Sequence, residues 1–264
     1  MKWNSNSSNN FGEERMTFCL AMKVKSGLVG LADTRITSGT EVFVSKKVST
    51  FQHHGCPIFL MTSGLRSVRD KVLTYFEEEL TENGGFDKVY KAANAFGAQV
   101  KRVAQEDNKA LMESHLSFNI HALIGGRLTG DTEHKLYLVY PQGNWVEVTE
   151  SRPYYIIGET GYGRPVLDRS LKYNDSIGWA FKVGCLAFDS TRISAADVDF
   201  PLDAVICREG EAKVHEGRLQ REDLADLSKW WSDRIRQGVS EIPQEWVDSL
   251  VAKVVEDHIP TGRR

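Results

Sequence analysis

In the dipeptide Met16-Thr17, the threonine is the residue of this chain whose position best suits it to act as a nucleophile. It lies where a polar leader ends and a strand-like apolar run begins. Translation from Met16, or removal of everything before Thr17, would leave a threonine with a free α-amine. One residue would then carry a hydroxyl nucleophile and an adjacent base, which is a recognised way of activating a weak nucleophile. Because the ordinary pKa of an α-amine is about 7.7–8.0, this base is partly unprotonated at neutral pH.

Residues 1–16 precede this threonine and do not resemble a signal peptide. The first 15, MKWNSNSSNNFGEER, are rich in Asn and Ser and lack an apolar segment. They could be a disordered leader, a propeptide or the product of a start codon assigned too far upstream. We favour the last, since removal of an initiator Met16 before a small residue exposes Thr17 without self-cleavage. Residues 17–264 are expected to form a single domain with a C-terminal helical extension.

Composition and charge are those of an ordinary soluble globular protein. The 264 residues are 41% hydrophobic and 26% charged, with a net charge of -3, so neither nucleic acid nor a membrane surface is an expected partner. No apolar stretch approaches the roughly 20 residues that a membrane span needs. The four cysteines, at positions 19, 56, 185 and 207, lack CxxC spacing. This pattern predicts reduced thiols in a cytoplasm, and we expect no metal or organic cofactor.

Apolar periodicity divides the chain into blocks of strands and pairs of helices. Period-two alternation and short apolar runs predict strands at 17–25, 27–33, 41–51, 57–63, 116–123, 135–141, 154–158 and 203–208. Helical spacing predicts helices at 65–80, 89–103, 163–172, 178–189, 222–237 and 243–258. This order is neither a βαβ alternation nor an all-β pattern. It predicts a layered α+β architecture in which antiparallel helix pairs cover sheets.

Several ordered blocks resemble the proteasome β-subunit family of N-terminal nucleophile hydrolases. They are TFCLAMKVKSGLVGLADTRIT, SKKV and IFLMTSGLRSV. Two later blocks, YYIIGETGYGRPVLDRSL and AFDSTRISAADVDFPLDAVI, are more similar to the bacterial branch called Anbu than to classical proteasome subunits. The likeness covers residues 17 to about 207. It implies a four-layer αββα sandwich, an N-terminal threonine nucleophile, and identical subunits in a ring-like or spiral assembly.

The resemblance also implies which side chains support Thr17. Asp33 and Lys47 match the family's carboxylate and lysine. A lysine cation near Thr17 would lower the pKa of the α-amine and stabilise an alkoxide-like transition state, while the carboxylate would orient the lysine. Lys46 competes for this role, because adjacent residues point to opposite faces of a strand. We prefer Lys47, since it directly precedes the valine as in the family pattern.

Three further positions correspond to supporting positions of the family, and at one of them the residue differs. Gly64, at a strand-to-helix junction, corresponds to the glycine whose backbone N–H serves as oxyanion hole. Arg35 matches an arginine that supports the loop near the nucleophile, although a surface ion pair is an equal alternative. Glu159 stands where the family has a serine. Its carboxylate could bind the α-amine, or it could cap the helix that follows.

The last expected members of the site lie in the block AFDSTRIS. Asp189 and Ser190 resemble the family's Asp-plus-Ser pair near the amine. The segment that follows is longer than usual, so Ser194 is an alternative to Ser190. These departures affect the expected efficiency and substrate, not the expected fold.

The first hairpin poses a geometric problem for Asp33. A two-residue turn at Ser26-Gly27 places Thr17 opposite Ile36, so that Asp33 lies about 10 Å along the strand and on the wrong face. A bulge or three-residue turn that uses Gly27 would shift the register by one and bring Asp33 to the face of Thr17. We therefore predict a departure from the tight hairpin.

These observations predict a cytoplasmic threonine peptidase subunit that acts on peptide or unfolded protein. The resemblance makes an ATP-consuming unfoldase or ligase conceivable as a partner, although no residue indicates one. Two alternatives stay open. One keeps the nucleophile but acts as a small-molecule amidase, and the other is a catalytically silent scaffold in which Thr17 is never exposed.

Overall fold

A computed structural model describes residues 17–38, 41–53, 56–82 and 84–256. The predicted leader at 1–16 and the last two residues of the predicted C-terminal helix lie outside them. The chain divides into two compact units at the boundary between Asp223 and Leu224. That residues 17–264 form one domain with a helical extension stays a prediction.

Antiparallel strands build three sheets in the described residues. One five-stranded sheet has the order β10-β1-β2-β11-β12, the other has the order β5-β6-β7-β8-β9, and β3 pairs with β4 in a two-stranded sheet. The strands are β1 Phe18–Val24, β2 Gly27–Asp33, β3 Arg35–Ser38, β4 Glu41–Val44, β5 Val48–His53, β6 Cys56–Gly64, β7 Ile120–Gly126, β8 Lys135–Val139, β9 Trp145–Glu147, β10 Tyr154–Gly158, β11 Leu202–Arg208 and β12 Val214–Leu219.

The helices of the first unit occur in two sequential pairs. They are α1 Arg66–Glu82, α2 Val89–Glu113, α3 Arg164–Ser170 and α4 Ile177–Ser194. The second unit contains α5 Ala225–Ser240 and α6 Glu245–Glu256, preceded by a 3₁₀ turn at Glu222–Leu224. Across the described residues, no helix combines the length and the apolar character needed to span a membrane.

Apolar clusters form where the sheets and helices of the first unit pack together. Strands of the two five-stranded sheets share a cluster that includes Cys19, Phe59 and Met61. Helices α1 and α2 pack on β6, β7 and β8, where the rings of Phe76 and Phe96 meet edge to face at 5.5 Å. Helix α4 packs on β1 and β2. The predicted α+β class, with helices and antiparallel sheets, is confirmed.

The predicted departure from a tight β1–β2 hairpin is wrong. The turn is a two-residue one, but it lies at Lys25-Ser26, where Val24 pairs with Gly27. The register therefore differs by two residues, not one, from that of a turn at Ser26-Gly27. Thr17 and Asp33 consequently lie at the same end of the hairpin.

The physical reason is the role of Gly27. Its φ of +144° suits glycine, and a Cβ at this position would lie 2.0 Å from the carbonyl oxygen of Cys207 on β11. The glycine is therefore required for the close approach of the neighbouring strand. The sequence pattern alone, in which a glycine follows a serine between two apolar runs, predicts Gly27 in the turn.

Other element boundaries differ where the local pattern is short or polar. The strand predicted at 41–51 is two strands, β4 and β5, which belong to different sheets. The strand predicted at 116–123 begins only at Ile120. Strands β3, β9 and β12 were not predicted. β9 has three residues and β12 has the sequence VHEGRL, with four of its six residues exposed, so neither shows the alternation of a half-buried strand.

Candidate active site

One carboxylate oxygen organises the start of β1. Asp33 Oδ1 accepts hydrogen bonds from the Thr17 hydroxyl at 3.0 Å, the Phe18 backbone N–H at 2.8 Å and Lys47 Nζ at 2.7 Å. Thr17 is 4% exposed, Asp33 0% and Lys47 6%. The structure thus brings together a hydroxyl, a carboxylate and an ammonium group in a site from which solvent is excluded.

The backbone of β1 and β2 explains how Asp33 reaches Thr17. Asp33 is the last residue of β2 and Thr17 immediately precedes β1. The bond from the Phe18 N–H fixes the carboxylate at the strand end, where the adjacent Thr17 hydroxyl also reaches it. The predicted one-residue register shift, which would bring Asp33 to the strand face of Thr17, is therefore unnecessary. Thr17 lies outside the regular strand, so its side chain does not follow the alternation of β1.

The two adjacent lysines have different partners. Lys47 Nζ donates to Asp33 Oδ1 and, at 2.8 Å, to the Arg35 carbonyl oxygen. Lys46 Nζ instead pairs with Glu216 on β12 at 2.6 Å, and this side chain is half-exposed. Both lysines lie in the segment that joins β4 to β5. The geometry places Lys47, not Lys46, beside Thr17.

Burial and charge act in opposite directions on Asp33. Removal from water raises the pKa of this carboxyl, and the Lys47 ammonium together with three hydrogen bonds to Oδ1 opposes that rise. The second oxygen, Oδ2, is buried and has no hydrogen-bond partner among the described residues. The Lys47 cation is therefore the principal group that favours the charged form of Asp33.

Gly64 ends β6 immediately before Leu65 and α1. Its φ is +127°, and a Cβ would lie 2.2 Å from the Asn119 carbonyl oxygen, to which the Leu65 N–H donates at 2.9 Å. Two residues earlier, the Thr62 N–H donates to the Lys47 carbonyl at 3.2 Å. The end of β6 therefore lies beside Lys47, whose side chain carries the ammonium group. At position 64 the backbone accommodates only glycine.

Glu159 contacts Thr17 through its backbone. Its N–H donates to the Thr17 carbonyl oxygen at 2.6 Å, while its carboxylate accepts from the Gly161 N–H at 2.9 Å. This carboxylate contact is local to the turn before α3, whose N-cap is Gly163, so neither predicted role, binding the α-amine or capping the helix, is established and both stay predictions. Gly158 just before it has φ +88°, and a Cβ there would lie 2.0 Å from the Thr17 carbonyl oxygen. Sequence reasoning missed Gly158, whose only signal was the glycine that ends the strand YYIIG.

Asp189 and Ser190 form their described hydrogen bonds within α4. Asp189 is buried and its Oδ1 accepts from Arg192 at 2.7 Å, whereas Oδ2 has no partner among the described residues. Ser190 donates to the Leu186 carbonyl at 2.9 Å. Ser194 is exposed at the helix end. Their participation in a site at Thr17 stays a prediction.

Arg35 has both a backbone and a side-chain contact at the site. Its carbonyl accepts from Lys47, and its guanidinium lies 3.4 Å from Asp199. The sequence left the choice between loop support and a surface ion pair open. The side chain makes an ion pair with Asp199, and support of the loop near Thr17 by this arginine stays a prediction. Asp199 was missed, because nothing in the motif ADVDFP distinguishes one acidic residue from the other.

Cys19, two residues from Thr17, is a buried thiol that sequence reasoning did not consider for the site. Its Sγ lies 3.7 Å from the Thr62 carbonyl oxygen. Burial raises the pKa of this thiol to about 12, so it stays protonated at neutral pH. A protonated thiol is a poor nucleophile, so Cys19 is not a candidate for that role, and Thr17 stays the predicted nucleophile.

The described residues also form a groove away from the Thr17 cluster. A groove of about 720 Å³ is lined by Ser26, Ser176 and Arg208 among others. The groove lies at the Lys25-Ser26 hairpin turn, whereas Thr17 lies at the opposite end of β1. The seven residues of β1 separate the two by about 23 Å. Within the described part of the chain, His, Cys, Asp and Glu form no group of three that could hold a metal ion.

Solved structures share this fold over most of the chain. A mutant of Anbu from Hyphomicrobium sp. strain MC1, designated Gly-1, is 31% identical, with 86% of this chain and 99% of that chain covered and a TM-score of 0.79. Anbu from Yersinia bercovieri, described as an ancestral β-subunit, is 26% identical, with 86% and 98% covered and a TM-score of 0.78. Neither a family model nor a curated protein sequence matches the chain.

A third structure supports the fold alone. The Anbu complex from Pseudomonas aeruginosa, described as a helical assembly, is 24% identical, with 86% of this chain and 97% of that chain covered and a TM-score of 0.80. The α+β fold of antiparallel sheets, shared with these neighbours, is of the proteasome β-subunit-like class. The chain belongs to the Anbu family within that class.

Proposed function

We propose that this chain is a threonine-type peptidase subunit in which Thr17, once it is N-terminal, is the nucleophile. The observation that carries the proposal is the convergence of Thr17 Oγ, Lys47 Nζ and the Phe18 N–H on Asp33 Oδ1. An ion pair beside a buried hydroxyl offers fixed charge where an alkoxide would develop. Such preorganised charge lowers the barrier without reorganisation of solvent.

In the proposed reaction the Thr17 hydroxyl attacks a peptide carbonyl. Its proton passes to the free α-amine of the same residue, and the new Oγ–C bond gives a tetrahedral oxyanion. The Gly64 N–H is the proposed donor to that oxyanion. The amine then returns the proton to the departing nitrogen as the C–N bond breaks, leaving an ester. Water, deprotonated by the same amine, cleaves the ester and restores the hydroxyl.

Lys47 and Asp33 have electrostatic roles in this mechanism. The ammonium cation would lower the pKa of the α-amine and so increase the fraction of free base at neutral pH. Asp33 would keep the ammonium in place and neutralise part of its charge. Arg35 would hold Lys47 through its carbonyl, while Glu159, Asp189 and Ser190 are proposed only as supporting residues.

The proposal extends to architecture and assembly. We infer that the two five-stranded sheets and their helices form a four-layer αββα sandwich, and that identical subunits assemble in a ring or spiral. The Pseudomonas aeruginosa relative, which is described as a helical assembly, supports the second inference. The scattered cysteines agree with a cytoplasmic location. Peptide or unfolded protein is the proposed substrate, and no residue indicates an ATP-dependent partner.

The experiment begins with the N-terminal residue of the purified native protein, determined by mass spectrometry. We expect Thr17, and we expect a peptide epoxyketone to add covalently to its hydroxyl and amine. A chain that keeps its leader in every molecule and is not labelled would support the scaffold alternative. Labelling together with turnover of small amides, but not of peptides, would support the amidase.

Variants then test the nucleophile itself. Thr17→Ala should abolish turnover and labelling while the assembly persists in size-exclusion chromatography. Thr50→Ala is the matched control, since it also removes a threonine hydroxyl. That hydroxyl donates to Glu216, the partner of Lys46, and not to Asp33. It should retain full turnover. Persistent turnover in Thr17→Ala would remove Thr17 from the mechanism.

A further inference from the structure

The residues that lead into β11 contact the backbone that holds Lys47. The N–H and the hydroxyl of Thr34 both donate to the Pro201 carbonyl, at 3.1 and 2.7 Å. Asp199 Oδ2 lies 3.4 Å from the Arg35 guanidinium. The carbonyl of Arg35 is in turn one of the two described acceptors of Lys47 Nζ. The position of Arg35 therefore bears directly on the ammonium group beside Thr17.

Asp199 is held firmly by groups other than Arg35. Arg221 donates to both carboxylate oxygens, at 2.7 and 2.6 Å, and the Phe200 N–H donates to Oδ1 at 2.9 Å. The guanidinium of Arg221 lies 5.3 Å from the centroid of the Phe200 ring, which packs edge-on against Phe188 at 5.0 Å. The carboxylate is thus fixed by its own surroundings and offers Arg35 a charge in a defined place.

We propose that Asp199 is a positioning residue for the Thr17 site: held by Arg221, it fixes Arg35, whose carbonyl keeps Lys47 Nζ beside Asp33. This inference rests on the proposed peptidase function. The lysine side chain has several rotatable bonds, so loss of one of its two acceptors increases its freedom to leave the site. Catalysis is sensitive to such displacement, because a shift of about 1 Å can cost 10²-fold in rate.

Asp199→Asn tests the proposal, because the amide keeps the shape of the side chain and removes its charge. Turnover is measured per active subunit, with active subunits counted by covalent labelling with a peptide epoxyketone. We expect kcat to fall about tenfold and KM to change less than twofold. Arg35→Met should cause a similar loss, and the double variant should be no slower than either single variant, since both act through one contact.

Asp203→Asn is the matched control, near the start of β11, the strand that Asp199 precedes by three residues. Asp203 pairs with Arg218 in a bidentate contact, at 2.6 and 3.0 Å. Its variant should lower the free energy of unfolding but leave kcat per labelled subunit unchanged. An equal loss of kcat in Asp203→Asn would show that any loosening of β11 impairs turnover, and would overturn the specific role of Asp199.

A crystal structure of Asp199→Asn provides a readout that does not require activity. We expect the distance from Lys47 Nζ to the Arg35 carbonyl, now 2.8 Å, to exceed the hydrogen-bonding range. An unchanged distance, an unchanged kcat, or losses that add in the double variant would each overturn the proposal. Wild-type protein that is neither labelled nor active would instead reject the proposed peptidase function, and the structural measurement would still decide the positioning.

Discussion

Lys47 and Asp33 form an ion pair in which Nζ lies 2.7 Å from Oδ1, with side-chain exposures of 5% and 0%. Two opposite charges in the interior are each stabilised mainly by the other, because water cannot reach them. Removal of one partner leaves an uncompensated buried charge. The pair therefore joins the stability of the fold to the proposed chemistry at Thr17.

Replacement of the two adjacent lysines should have unequal effects. We expect Lys47→Met to lower the free energy of unfolding by about 3–5 kcal/mol, since it leaves the Asp33 carboxylate buried without its cation. Lys46→Met should cost less than about 1 kcal/mol, because it breaks only a half-exposed pair with Glu216. Urea denaturation measures both. Equal losses would contradict the assignment of Lys47 as the buried partner.

The same two variants separate the residues by activity. Lys47→Met should reduce turnover of a peptide substrate at least a hundredfold, whereas Lys46→Met should stay within about twofold of wild type. Rates are divided by the number of subunits that the epoxyketone labels, so that unfolded subunits do not lower the measured kcat. A slower Lys46→Met than Lys47→Met would reverse the assignment.

Gly64→Ala should strongly perturb the junction of β6 and α1. The new Cβ meets a backbone carbonyl at 2.2 Å and the φ of +127° is strained for alanine, so we expect a loss of more than about 2 kcal/mol. Gly210→Ala is the control: its φ is +80° and no atom lies within 4 Å of the added Cβ. That variant should lose only about 1–2 kcal/mol. Similar unfolding midpoints for the two variants would argue against a tight backbone approach at Gly64.

Glu159→Ala should have a small effect on turnover. The bond from its backbone N–H to the Thr17 carbonyl survives the substitution, and the lost side-chain bond to Gly161 is replaced by water at this partly exposed turn. We expect turnover within about threefold of wild type and a stability loss of about 1 kcal/mol. A hundredfold fall in kcat would instead assign the carboxylate to the α-amine.

Alkaline pH should destabilise the folded chain through its buried thiols. Burial raises the pKa of both Cys185 and Cys207 from 9.0 to about 12. The folded state therefore keeps protons that the unfolded state releases above pH 9, and stability falls as pH rises toward 12. From pH 8 to 10 each thiol should contribute a loss of about 1.4 kcal/mol.

The double variant Cys185→Ala/Cys207→Ala isolates this effect without touching the Thr17 cluster. It should be less stable than wild type at pH 8, because it creates small cavities, but it should lose about 3 kcal/mol less between pH 8 and pH 10. Urea unfolding at the two pH values gives the comparison. Parallel pH dependence in the two proteins would show that these thiols do not titrate on unfolding.

Much of the first unit could be predicted because its elements have strong local patterns. Strand β2 at 27–33 and strand β10 at 154–158 have the predicted bounds, since each is a continuous apolar run with a turn signal beside it. The first two helices were predicted from apolar residues at helical spacing, although α2 extends to Glu113, beyond its apolar stripe. β9 and β12 were missed, because a short or exposed edge strand lacks a periodic signal.

By itself, the sequence determined the class of fold, the candidate nucleophile and a choice of supporting residues, because periodicity and motif order are properties of the chain. Only the tertiary structure decided the hairpin register, which depends on how closely β11 approaches Gly27. It likewise placed Lys47, not Lys46, against Asp33, and Asp199 against Arg35. These contacts join residues 12 to 180 positions apart in the chain. Contacts over such sequence separations are set by packing, which no local pattern records.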